Sequence, residues 1–133
     1  MIRRIAAFAT VGGLGFLLQL ATLECLASWA EWQPLPATAA AVELAVLHNF
    51  WWHERWTWSD RGERTLGRWP RLVRYQAVTG VATIGNVIVT LLLAKVGFCL
   101  LAANALAVGA MSAANFMMSD RWIFGAGRIV RAR

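Results

Sequence analysis

Four stretches of the chain each hold about 20 mostly apolar residues, the length that crosses a hydrocarbon core of about 30 Å as an α-helix. They run from Ile5 to Trp29, Leu35 to Trp56, Leu72 to Ala94 and Phe98 to Phe124, and together occupy most of the 133 residues. Hydrophobic residues make up 59% of the chain and charged residues 15%, against about half and a quarter in ordinary soluble domains. A soluble domain this small has too little interior to hide so many Leu, Ala, Val and Trp side chains. The predicted fold is therefore all-α and membrane-embedded, with four transmembrane helices.

Pro34 and Pro36 end the first connection and start the second helix, and Lys95 and Gly97 mark a tight third connection. The helices thus pair as two hairpins. Arg3 and Arg4 precede the first helix, Arg55, Arg61, Arg64, Arg68, Arg71 and Arg74 crowd the middle connection, and Arg121, Arg128, Arg131 and Arg133 follow the fourth. The other two connections offer only Lys95. By the positive-inside rule both termini and the middle loop are expected in the cytoplasm.

This arrangement explains the net charge of +6 and the pI near 11.0 without nucleic acid. The apolar run after MIRRIAAF continues to Leu26 without a small-residue cleavage site, so it is expected to be retained as a helix and not removed as a signal peptide. Cys25 and Cys99 lie in or near apolar segments and are expected to be packing residues.

The phrase NFWWHERWTW at 49–58 returns as NFMMSDRWIF at 115–124, an offset of 115 − 49 = 66. The first helix of each pair aligns at a shift of 67, with Phe8 on Tyr75, Val11 on Val78, Gly13 on Gly80, Gln19 on Asn86 and Leu26 on Leu93. A whole hairpin is duplicated. Two crossings per copy preserve its orientation, so the repeat is parallel and both phrases fall at the basic end. Repeat one is expected at about 3–58, the loop at about 59–71, repeat two at about 72–124 and a basic tail at 125–133, all within one transmembrane domain.

At α-helical spacing Asn49, His53 and Trp56 share a stripe, as do Asn115, Ser119 and Trp122. Asn can bond between helices, Trp favours the headgroup level and Arg can snorkel, so each residue has an architectural reading. Duplication adds weight to Arg55 and Arg121, since two guanidinium groups at the headgroup level can pair with a phosphate in a planar way that lysine cannot reproduce. The candidate phosphate-binding residues are Arg55, Arg121, Asn49, Asn115, Trp56 and Trp122.

Glu24 and Glu43 stand inside predicted helices, where an ionisable group costs about 2.5 kcal/mol or more near the centre. Their repeat counterparts are Leu91 and Gly109, so they lie outside the shared scaffold. Hydration near the outer interface is the competing reading. With Gln19 and Asn86 they form the candidate polar path or proton-coupling set. No Gly-rich phosphate loop follows a strand, no His/Cys ligands have metal spacing, and His48 and His53 lack a nearby nucleophile. His48 reads as a packed, hydrogen-bonded residue. No catalytic residue, metal or cofactor is expected, and the chain is not expected to be an enzyme.

The motif FATVG at Phe8 to Gly12, the helix ending at Asn49 to Trp58, and the second copy NFMMSDRWIF resemble the GtrA-like family over roughly Arg3 to Phe124. The copies differ where Thr79 replaces Gly12 and Ile123 replaces Thr57. The resemblance implies a multi-pass protein of a bacterial-type cytoplasmic membrane that moves a polyprenyl-phosphate-linked monosaccharide across it. It also admits a partner that anchors or regulates a glycosyltransferase. A third reading, from the layout of four short helices with an acid in the first, is a small proton-coupled exporter. The expected partners are a polyprenyl-phosphate-linked sugar, membrane lipids and a glycosyltransferase, with no nucleic acid. Four helices scarcely enclose a polar headgroup, so a homo-oligomer or larger complex is expected.

Overall fold

The computed structural model of the chain describes residues 1–61 and 67–125. Arg64, Arg128, Arg131 and Arg133, which enter the orientation argument, lie outside the described residues. Four α-helices follow in order: α1 (Ile2–Glu24), α2 (Pro34–Trp52), α3 (Arg68–Lys95) and α4 (Leu100–Met118). No strand occurs among the described residues. Three helices run on into a π-helical turn, at Cys25–Trp29 after α1, His53–Thr57 after α2 and Ser119–Ile123 after α4. The chain divides into two compact units, Met1–Asp60 and Arg61–Arg133. The first is the hairpin α1–α2 and the second the hairpin α3–α4.

Ile2–Trp29, Arg68–Lys95 and Leu100–Ile123 are long and apolar enough to cross a membrane. The predicted span from Leu35 to Trp56, on α2, is not among these three. α2 with its π-turn has the length, but Pro34, Pro36, Glu43, His48 and Asn49 dilute its apolar content.

Proline fits at the first positions of α2, where a backbone N–H would have no helical partner. The turn before it places Glu31 at φ 54°, and the turn between α3 and α4 places Gly97 at φ 102°. These positions differ by 97 − 31 = 66, so both hairpins reverse through a left-handed residue at the same place. Glycine occupies that conformation without a Cβ clash, whereas glutamate is strained by about 1–2 kcal/mol.

The first hairpin closes on small residues four apart. Ala7, Val11 and Gly15 are buried on α1, facing a partner whose buried set includes Ala37, Ala41 and Ala45. Small side chains let membrane helices approach closely, where packing and not the hydrophobic effect drives association. The second hairpin repeats part of this seam with buried Ala103 and Ala107, the counterparts of Ala37 and Ala41. Outward-facing Leu, Ile, Val and Phe side chains cover both units, as lipid contact requires. Cys25 and Cys99 belong to this exposed surface as free thiols, which corrects the expectation that they pack inside. Cys25 opens the π-turn after α1 and Cys99 caps the start of α4, so both stand at helix ends.

Candidate lipid-headgroup site

The duplicated phrase has the same backbone in both copies. Each starts on an α-helix and enters a π-helical turn four residues later, at His53 and at Ser119. The Trp58 amide donates to the His53 carbonyl at 3.0 Å, and the Phe124 amide donates to the Ser119 carbonyl at 2.9 Å. These are bonds across five residues, so each turn holds one residue more than an α-helical turn.

That extra residue breaks the predicted stripe. Trp56 and Trp122 remain 41% and 50% exposed, whereas Trp58 and Phe124 are wholly buried. His53 and Ser119 stay inside, so the seam Asn49, His53, Trp56 splits after His53, and its copy after Ser119. The wider turn carries Trp58 and Phe124 inward in place of Trp56 and Trp122.

There the aromatic meets the first helix of its own hairpin. The Phe8 ring stacks on His53 at 4.8 Å with 8° between planes, and Trp58 meets His53 edge-on at 5.1 Å. His53 Nδ1 and the Thr57 hydroxyl lie 2.9 Å apart. In the second hairpin Tyr75, the counterpart of Phe8, faces Phe124 at 6.4 Å. Offset and edge-on aromatic pairs stabilise by about 0.5–1.5 kcal/mol beyond their burial. The phrase therefore has an architectural task, locking the basic end of each hairpin.

Charged groups complete that end. Arg4 donates to Asp60 at 2.5 Å, and Arg61 donates to Asp120 at 2.6 Å. The hydrogen bond from Arg4 is the main reason that the Asp60 carboxyl titrates below its ordinary value. Glu54, the counterpart of Asp120, is buried in the first π-turn, and Arg71 is buried at the start of α3. None of these was among the candidate site residues. The signal for Glu54 and Asp120 was present, since an acid precedes the arginine in both copies of the phrase.

The two candidate arginines are exposed. The Arg55 guanidinium lies 3.9 Å from the Trp51 ring centre, a cation–π contact one helical turn away. Arg121 and Trp122 border a groove of about 290 Å³ whose remaining lining is Ala114, Met117 and Met118. This groove has an apolar floor and one cationic rim. Trp122 is held from α3 by Arg74, whose guanidinium lies 5.0 Å from its ring and donates to its carbonyl at 3.4 Å.

The asparagines occupy different environments. A Cβ added at Gly15 would overlap the Asn49 carboxamide, so Asn49 presses directly on the α1 backbone. Its Oδ1 also lies 3.2 Å from His48 Nδ1. Ala82 stands at the place of Gly15 in the second hairpin, and there Asn115 lines an open groove of about 200 Å³ with Thr79, Thr83, Asn86 and Ser112. Ser119 donates to Asn115 Oδ1 at 3.4 Å. The Oδ1 of Asn86 is buried without a hydrogen-bond partner, a situation that costs about 1–3 kcal/mol.

Gln19, the counterpart of Asn86, is half-buried in the first hairpin. Glu24 ends α1 and Glu43 sits near the middle of α2, and both are exposed. Among the described residues no group of three or more His, Cys, Asp or Glu side chains is placed to hold a metal.

Residues 7–124 match the family model of the GtrA/DPMS transmembrane domain. The chain belongs to that family. It is a multi-pass membrane protein of a group that handles lipid-linked sugars and is generally non-catalytic. A search of curated proteins found no match.

Proposed function

We propose that this GtrA-family protein translocates a polyprenyl-phosphate-linked monosaccharide across the cytoplasmic membrane. The observation that carries this reading is the groove bordered by Arg121 and Trp122, with Ala114, Met117 and Met118 as its apolar lining. An isoprenyl chain needs apolar contact and no hydrogen bonds, while its phosphate needs a planar, permanently charged donor. Arg55, exposed at the equivalent place of the first hairpin, offers a second guanidinium. Both termini and the middle loop are cytoplasmic in this reading, so the lipid enters from the inner leaflet. Glu24 and Glu43 supply polar contacts farther from the basic end.

The test is flux of a labelled polyprenyl-phosphate monosaccharide in vesicles containing the purified protein. Flux that depends on Arg121 supports translocation. No flux, together with raised activity of a co-expressed glycosyltransferase, replaces it with the anchoring role. Drug resistance that is lost in Glu24→Gln while lipid flux persists supports proton-coupled export. A reporter inserted near Gly62 is expected to face the cytoplasm and one near Gln33 the outside, and the reverse result overturns the assigned entry side.

A further inference from the structure

We infer that the α3–α4 groove is a subsite for an uncharged, hydroxyl-bearing sugar, and that the second hairpin alone supplies it. The groove lies within two stretches able to span a membrane, yet its lining includes Thr79, Thr83, Asn86, Ser112 and Asn115. The Thr83 hydroxyl donates to the Thr79 carbonyl at 3.0 Å and keeps its acceptor lone pairs, and the Thr79 hydroxyl oxygen is buried beneath the surface. Asn86 Oδ1 is a buried acceptor awaiting a donor. A sugar hydroxyl donates and accepts at one atom, and so can satisfy an amide oxygen while accepting from a neighbouring hydroxyl. No ionisable side chain lines the groove. A carboxylate on the sugar would enter a groove at membrane depth with no counter-charge, which is strongly disfavoured.

The first hairpin keeps amides at Gln19 and Asn49 but lacks the hydroxyls. By the repeat alignment Thr79, Thr83 and Ser112 correspond to Gly12, Phe16 and Val46. Three hydroxyls are replaced by a hydrogen, a phenyl ring and an isopropyl group. Asn49 is retained, but Gly15 lets it close onto α1. The same fold is thus sealed in one copy and open in the other.

This inference rests on the lipid-phosphate reading for delivery of the sugar, while the groove's own chemistry is separable from it. The experiment measures equilibrium binding to the full chain in nanodiscs of three probes with one isoprenoid: polyprenyl phosphate, its hexose derivative and its hexuronate derivative. The hexose probe is expected to bind about tenfold tighter than polyprenyl phosphate, the worth of one or two net hydrogen bonds. The hexuronate probe is expected to bind about a hundredfold weaker than the hexose probe. Ser112→Val and Thr83→Val, tested separately so that one misfolded variant is not decisive, should each lower the hexose-to-bare ratio toward one. Phe16→Thr, at the exposed counterpart of Thr83, should leave the ratio intact. Equal binding of hexose and hexuronate, or an unchanged ratio in both valine variants, overturns the subsite. Failure of polyprenyl phosphate to bind overturns the phosphate reading instead. The groove is then judged with methyl hexoside, whose Ser112-dependent binding sustains the subsite and whose lack of binding overturns it.

Discussion

A methyl group added at Gly15 would overlap the Asn49 carboxamide, whereas one added at Gly12 or Gly13 would meet no atom within 4 Å. The three glycines lie on one helix, so the latter two serve as internal controls. Overpacking costs about 1–3 kcal/mol, and displacing Asn49 also disturbs its contact with His48 Nδ1 at 3.2 Å. Alanine recovers up to about 1 kcal/mol of helix propensity over glycine. Gly15→Ala is therefore expected to destabilise the first hairpin by about 1–2 kcal/mol, and Gly12→Ala and Gly13→Ala to be neutral or stabilising by up to about 1 kcal/mol. Because Ala82 and Asn115 coexist in the second hairpin by leaving a groove, Gly15→Ala should force the first toward the same open state. Reversible unfolding in mixed micelles, followed by circular dichroism, measures the difference. Adding Asn49→Ala to Gly15→Ala removes the colliding group and should return part of the loss. A Gly15→Ala protein as stable as Gly12→Ala would refute the close-packing argument.

At the turn of the first hairpin, Glu31→Gly removes left-handed strain at the cost of a more flexible unfolded chain, with an expected gain of about 0.5–1 kcal/mol in the same unfolding assay. Arg55→Lys and Arg121→Lys keep the charge but lose the planar fork, and each should weaken polyprenyl-phosphate binding by about 1–3 kcal/mol in nanodisc titrations; normal binding by both would reduce the arginines to topology signals. The Asp60 carboxyl, held down chiefly by the Arg4 hydrogen bond, should titrate below its ordinary value of 3.8 when followed by carbon NMR. Because its folded-state value is depressed, its stabilising contribution is present above the ordinary value and is lost as pH falls through the folded value. Arg4→Ala should move the titration back up, and an unshifted Asp60 in the unsubstituted protein would contradict the pairing.

Much of this architecture is written in side-chain type. Proline at 34 and 36, glycine at 97 and long apolar runs suffice to place four helices and their turns, because local backbone sterics and the absence of water in a bilayer leave the chain few alternatives. The family likewise follows from the paired phrases. Trp56 and Trp122 show where such reasoning stops. An α-helical wheel puts them on the stripe with Asn49 and Asn115, but the π-turns after Trp52 and Met118 insert an extra residue per turn and send Trp58 and Phe124 inward instead. Nothing in a periodicity marks that insertion, since it is stabilised by packing against Phe8 and Tyr75 on another helix. The distinction between the two asparagines is similar. Residue identity alone makes Asn49 and Asn115 equivalent, but a missing Cβ at Gly15 closes one helix pair onto its amide, while Ala82 and three hydroxyls leave the other open. Which polar groups are sealed and which remain available was decided by the distance of closest approach between two helices, a quantity that exists only once the hairpin has formed.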